Sequence, residues 1–294
     1  QRTGGRLQGK LPPMPPSRSY DPIVSVDALY ALPALVLLDA RSGPSARAAY
    51  AAGHLEGAHF VDLETDLSLP SRDPARGGRH PLPDLPSFAI TLSHFGITPL
   101  SSVVIYDDQG GANAAARAWW MLRAVGHTQT YVLDGGLGAA LAQGRALSTR
   151  IPETQEVPPY PTRAFHAPQA SLEEVDTIRR DPRFRVLDVR SAERYRGEHE
   201  PIDPVAGHIP GALNLPLSEN LDADGRFRTR EALRARYMDL LGDVPAERLV
   251  VHCGSGVTAC HTLLSLERAG LHGAALYVGS WSEWCRNADK PRAP

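Results

Sequence analysis

Two rhythms alternate along the chain. Short runs rich in Val and Leu, at residues 185–189 and 248–252, lack polar alternation and read as strands buried on both faces, the habit of parallel sheets. Between such runs lie longer segments of helical composition. Ser171-Leu172-Glu173-Glu174 has the form of a capping box, and Asp181-Pro182 stops the helix it opens. Residues 258–269 read as a helix ended by Gly270, and residues 113–125 as its counterpart ended by Gly126. Strand–helix alternation of this kind predicts α/β domains, each built on a central, mainly parallel sheet flanked by helices.

The pattern occurs twice. Leu37-Leu38-Asp39-Ala40-Arg41 matches Val186-Leu187-Asp188-Val189-Arg190, and Gly53-His54-Leu55-Glu56-Gly57-Ala58 matches Gly207-His208-Ile209-Pro210-Gly211-Ala212. Val103-Val104-Ile105-Tyr106-Asp107 matches Leu249-Val250-Val251-His252-Cys253, and Leu133-Asp134-Gly135-Gly136 falls where Tyr277-Val278-Gly279-Ser280 falls. Four blocks recurring in one order are a tandem duplication. Pro152, Pro158, Pro159, Pro161 and Pro168 mark a linker, since proline withholds a backbone donor and biases its predecessor to extended geometry. The expected organisation is a flexible tail at 1–20, a first domain at 21–147, a Pro-rich linker at 148–168 and a second domain at 169–294.

Composition narrows the function. A net charge of −2 over 294 residues gives no polybasic face for nucleic acid or anionic membrane. No apolar run approaches the roughly 18 residues of a membrane span, and residues 1–20 lack the apolar stretch of a secretory signal. Three cysteines, none in a C-x-x-C pair, cannot frame a chain of this length with disulfides; a reducing cytoplasm is the expected compartment.

One cysteine stands where α/β sheets bind ligands, beyond the carboxyl end of a strand. After Val250-Val251-His252 comes Cys253-Gly254-Ser255-Gly256-Val257-Thr258, and then a helix. Two glycines let this loop curl, so that its N–H groups and the helix dipole converge on the sulfur and favour the nucleophilic thiolate. A buried structural cysteine is the bland alternative, and the glycines argue against it. A cysteine phosphatase would place Arg six residues after the nucleophile; Ala259 stands there, so a phosphoryl group has no bidentate partner. The other use of such a cradle is to carry sulfur as a persulfide. Cys260 and Cys285 read as core residues, and His252, Cys253, Cys260 and His261 lack the spacing of a zinc site.

On that loop, on the Gly-His-Ile-Pro-Gly-Ala block at 207–212 and on Gly279-Ser280-Trp281-Ser282-Glu283-Trp284, the chain resembles the tandem-domain rhodanese-like sulfurtransferases, and within them the 3-mercaptopyruvate sulfurtransferases. The resemblance runs from about residue 23 to 287. It implies two rhodanese-like domains, the first inactive with Asp107 in place of the cysteine, the second catalytic through a Cys253 persulfide, with no metal or organic cofactor. It also implies a small-molecule sulfur donor and, as acceptor, cyanide in assays and a thiol or thioredoxin-like protein in the cell. Thiosulfate:cyanide transfer is the rival within the class; a non-catalytic binding or sensing module is the rival outside it, disfavoured by the intact cysteine loop.

Loop charge bears on the donor. Thiosulfate is a dianion, and its users line the loop with Arg and Lys, whereas here Gly254 and Ser255 are neutral. Loss of sulfur from mercaptopyruvate leaves an enolate that needs a proton, which a hydroxyl at Ser255 suits. The resemblance assigns Arg194 to the substrate carboxylate, with Gly254, Gly256, Val257 and Thr258 forming the binding loop. A second Arg expected before the Gly-His block is replaced by Asp203, with Arg196 or Arg117 as possible substitutes. A Ser–His–Asp relay from the first domain is expected to use His54, completed by Asp39 if by any acid; His208, the repeat mate of His54, reads as structural.

Overall fold

The apolar runs fold as strands in a computed structural model that describes residues 20–294. The first half contributes β1 (Ile23–Val24), β2 (Leu35–Asp39), β3 (His54–Leu55), β4 (Ala58–Phe60), β5 (Ser102–Tyr106), β6 (Thr130–Leu133) and β7 (Leu147–Ser148). The second contributes β8 (Arg185–Asp188), β9 (Leu213–Asn214), β10 (Leu249–His252) and β11 (Ala275–Leu276). One sheet has the order β1-β6-β5-β2-β4 and the other β11-β10-β8-β9, and every pairing in both is parallel. In the second sheet the place of β1 is taken by Gln169, which forms a single parallel bridge with Leu276. The two central strands of each sheet, β2 with β5 and β8 with β10, thus end side by side, with Asp39 opposite Tyr106 and Asp188 opposite His252.

Both halves secure the next turn in the same way. Arg41 grips Asp39 with its guanidinium and donates to the Gly53 carbonyl at 2.8 Å; Arg190 grips Asp188 and donates to the Gly207 carbonyl at 2.8 Å. These pairs are fully buried, and each aligns the strand end with the glycine that opens the Gly-His block. The capping box of Ser171 and Glu174 forms as predicted and starts the helix Leu172–Ile178.

The domains meet on two helices of small and apolar residues, Ala114–Ala124 and Ala259–Arg268. Nearly every side chain of the first is buried, which is the pattern of a helix enclosed on all sides. Ala114, Ala115, Ala116 and Ala118 let the second helix approach, and one apolar cluster runs from Ile23 and Leu38 through this contact to Val251 and Leu276. The parts of the linker that follow β7 carry no helix or strand, yet they are held: Tyr160 is buried, its N–H donates to Ala89 O, and its hydroxyl meets His127 Nδ1 at 2.9 Å. Of the expected tail, residues 1–19 lie outside the described residues, while Tyr20 donates to the Thr130 carbonyl at 2.5 Å.

Candidate active site

Cys253 follows β10 directly and is 1% exposed. Its N–H donates to Ser280 Oγ at 3.2 Å, and its carbonyl accepts the Trp281 N–H at 3.0 Å, so the Gly279–Trp284 segment fixes the base of the loop. Gly256 turns the loop with φ +75°; a Cβ there would lie 2.3 Å from the Val278 carbonyl, so only glycine fits. Among the described residues, the amides of residues 254–258 donate to no protein oxygen, and Thr258 opens the helix Ala259–Arg268 behind them. Free amides and a helix N-terminus directly after the cysteine form a seat for an anion.

The first domain shows that seat occupied. Asp107, at the position of Cys253, accepts N–H bonds from Gln109 and Gly111 on one oxygen and from Asn113 and Ala115 on the other, at 2.8–3.4 Å. Burial pushes the Asp107 carboxyl up against the downward pull of these four amides.

The hydroxyl of Ser255 lies 2.8 Å from His80 Nδ1, and His80 Nε2 lies 3.1 Å from Glu64 Oε1. With Glu64 accepting from Nε2–H, the bare Nδ1 faces the serine proton, which is the tautomer of a proton relay. Burial lowers the His80 pKa, opposed by Glu64 and reinforced by the cations Arg79 and Arg117. His80 belongs to the first domain, so the relay crosses the interface. Arg117 braces it from below: fully buried, it donates to the carbonyls of Gly256 at 3.0 Å, His80 at 3.0 Å and Leu67 at 3.3 Å.

Two guanidinium groups face Gly254. A Cβ on that residue would be 3.1 Å from Arg79 Nη2 and 3.5 Å from Arg194 Nη2. Arg194 is held by Glu200 through its Nε and Nη2, and Glu200 in turn accepts the N–H groups of Ile202 and Asp203. Thus Cys253, Gly254, Ser255, Gly256 and Arg194 converge, while the buried Val257 and the Thr258 backbone carry the loop into its helix.

Several expectations are corrected. His54 does not reach the loop: it is buried in its own domain, with Nδ1 2.8 Å from Tyr50 O, Nε2 3.1 Å from Arg150 O and its ring stacked on Tyr50. His208 makes the same Nδ1 contact with Tyr195 O and the same ring stack, so the pair is a duplicated scaffold device. Asp39 is committed to Arg41 and the Tyr106 hydroxyl. Neither proposed substitute for the second arginine faces the loop opening, since Arg117 lies beneath it and Arg196 is exposed and paired with Glu198. The loop is neutral, but its rim is cationic, because Arg79 arrives from the other domain. Cys260 is buried with its thiol on the Gly256 carbonyl, and burial pushes it up to about 12; burial also raises Cys285.

Sequence reasoning missed Arg79, His80 and Glu64. The available signal was the segment Gly77-Gly78-Arg79-His80-Pro81, a cation and an imidazole in a stretch with neither helical nor strand period, where binding groups concentrate. Gly77 and Gly78, both at positive φ, let it fold onto Gly279, Ser282 and Glu283 of the second domain.

The model of the Rhodanese-like domain matches residues 25–143 and again 171–287. A protein of Pseudomonas aeruginosa named "Probable 3-mercaptopyruvate sulfurtransferase" is 46% identical over 270 residues, covering 89% of this chain and 93% of its own. The human 3-mercaptopyruvate sulfurtransferase is 35% identical, covering 92% and 88%, and a thiosulfate sulfurtransferase of Rattus norvegicus is 34% identical, covering 87% and 86%. Among solved structures, the 3-mercaptopyruvate sulfurtransferase of Leishmania major superposes with a TM-score of 0.76 at 29% identity, covering 90% of this chain and 74% of that one. With its two matched domains, one bearing the cysteine loop and the other the buried aspartate, the chain belongs to the rhodanese-like family.

Proposed function

We propose that this protein is a sulfurtransferase that takes sulfur from 3-mercaptopyruvate onto Cys253 and passes it to a thiol. The observation that carries the reading is the Ser255–His80–Glu64 array beside the cysteine loop. Thiosulfate gives up its sulfur with sulfite as leaving group, which needs no proton. Mercaptopyruvate leaves as an enolate, which does.

Arg79 and Arg194 hold the donor carboxylate, and the Cys253 thiolate attacks the donor sulfur. An S–S bond forms and the C–S bond breaks, its electron pair remaining on carbon as the enolate of pyruvate. The proton of the donor thiol passes through Ser255 and His80 to that carbon, so pyruvate departs and Cys253 is left as a persulfide anion among the loop amides. A second nucleophile, a small thiol or a thioredoxin-like protein in the cell and cyanide in an assay, takes the outer sulfur and restores the thiolate. The cycle is covalent chemistry on one cysteine and calls on no metal or organic cofactor. It suits a cytoplasmic setting in which thiols stay reduced, and all three cysteines are free thiols.

Sulfur transfer to cyanide from mercaptopyruvate and from thiosulfate, measured in parallel, tests the reading. Mercaptopyruvate should be preferred, and Cys253→Ser should lose both the turnover and the one-sulfur mass increase of the Cys253 peptide. Turnover that survives in Cys253→Ser, or a clear preference for thiosulfate, refutes it. The dianion is the second reading, favoured by one observation, the two guanidinium groups at Gly254.

A further inference from the structure

Asp203 is a carboxylate in the wrong place for a protein that binds anions. Its side chain is fully buried, 2.8 Å from Arg286 Nη1, 3.4 Å from Arg79 Nη1 and 3.6 Å from Arg194 Nη2. Its Oδ2 has no hydrogen-bond partner, a costly arrangement for a buried carboxylate oxygen. Arg79 turns its other terminal nitrogen, Nη2, toward Gly254, and Arg194 turns its Nη2 toward both Gly254 and Asp203, so Asp203 stands beside the groups that meet the donor.

The charges of this rim can be counted. Arg190 is matched by Asp188, and Arg117 lies under the loop on the Gly256, His80 and Leu67 carbonyls, outside the rim. Arg79, Arg194 and Arg286 remain, set against Glu200 and Asp203. Within this cluster around Asp203, apart from Glu64 on His80, one positive charge is left, which equals the charge of a single carboxylate. Without Asp203 it would be two, which suits a dianion.

We propose that Asp203 is a specificity-determining residue, which holds Arg79 and Arg194 in position while reducing the rim to one net positive charge, and so selects monocarboxylate donors over dianions. This rests on the donor reading above. Because a dianion feels each added charge twice as strongly as a monoanion, removing the carboxylate favours thiosulfate over mercaptopyruvate even though both gain attraction.

The test is the ratio of kcat/KM for thiosulfate to that for mercaptopyruvate. In Asp203→Asn it should rise about tenfold at low ionic strength, and the rise should shrink as KCl approaches about 1 M. Asp203→Glu, which keeps the charge, should retain the wild-type ratio. Arg286→Gln, which removes the cation that shares Asp203 Oδ1 with Arg79, should move the ratio the opposite way, and it provides the sign reversal even if Asp203→Asn fails to fold. A purely structural Asp203 would lower both rates together without salt dependence; that result, or an unchanged ratio in Asp203→Asn and Arg286→Gln, overturns the proposal. Protection of Cys253 from iodoacetamide by sulfate and by pyruvate reads the same charge selectivity without turnover. If wild type turns over neither donor, the functional reading fails by itself, while a sulfate-to-pyruvate protection ratio that rises in Asp203→Asn upholds the charge argument and one that does not rise defeats it.

Discussion

His80 is half-buried and His54 buried, both imidazoles of the first domain, yet their partners give them different consequences when changed. His54 is closed between the carbonyls of Tyr50 and Arg150, and His80 joins a serine of one domain to a glutamate of the other. His80→Gln should lower single-turnover pyruvate release from mercaptopyruvate about 10²-fold, the usual worth of a placed acid–base group. His54→Gln should lower the melting temperature and leave that rate nearly unchanged. The pH profile separates the relay further. A base works when unprotonated, and burial lowers the His80 pKa, so the relay's acid limb should lie below the ordinary imidazole value of 6.5. Glu64 is the group that pulls this pKa upward, so Glu64→Gln should carry the limb still lower. Sulfur uptake from thiosulfate, which needs no relay, supplies the baseline for the thiolate alone.

At the scale of elements, the two glycines of the cysteine loop are not equivalent. A methyl at Gly256 would meet a backbone carbonyl at 2.3 Å in a left-handed conformation, so Gly256→Ala should cost about 2 kcal/mol or more and distort the amide seat. A methyl at Gly254 meets only guanidinium tips, Arg79 at 3.1 Å and Arg194 at 3.5 Å, and the closer of the two is the end of a long side chain that can shift. Gly254→Ala should therefore fold with a near-normal urea midpoint while raising the KM for the donor. The strands, the helices flanking them and this loop were legible in the sequence because local rules make them: unbroken apolar runs, a capping box, and glycines after a strand. The position of the loop's partners was not. Laying the halves against each other reveals what they share, and what they share is scaffold, such as Asp39–Arg41 with Asp188–Arg190 and His54–Tyr50 with His208–Tyr195. His80, Arg79 and Glu64 lie in a segment outside the matched blocks, and only tertiary folding carries them to Ser255 and Gly254.

For the molecule as a whole, the interface between the domains is both core and machinery, and it includes a weak point toward acid. His261, in the helix Ala259–Arg268, is fully buried, stacks on Phe227 and has Nδ1 3.2 Å from the Gly111 carbonyl of the other domain. Burial pushes its pKa down from 6.5 to about 4. The unfolded chain therefore takes up this proton first, and stability is lost as pH falls from 6.5 toward 4, by up to about 1.4 kcal/mol per pH unit from this group. Melting temperatures measured between pH 7 and 5 should fall steeply in wild type and less steeply in His261→Gln. A residual slope should remain from His252, whose pKa burial also lowers.

The buried aspartate of the first domain carries a further meaning. Duplication left two equivalent anion seats in one chain, and in the first the occupant is tethered: the Asp107 carboxylate is covalently part of the loop that surrounds it. That copy is a socket with its plug welded in, unable to load or discharge. Released from turnover, the first half was free to specialise as the wall that brings Glu64, Arg79, His80 and Arg117 to its twin. On the proposed chemistry, a chain with two look-alike sockets therefore has a carrying capacity of one sulfur atom, and each sulfur must be handed on before the next can board.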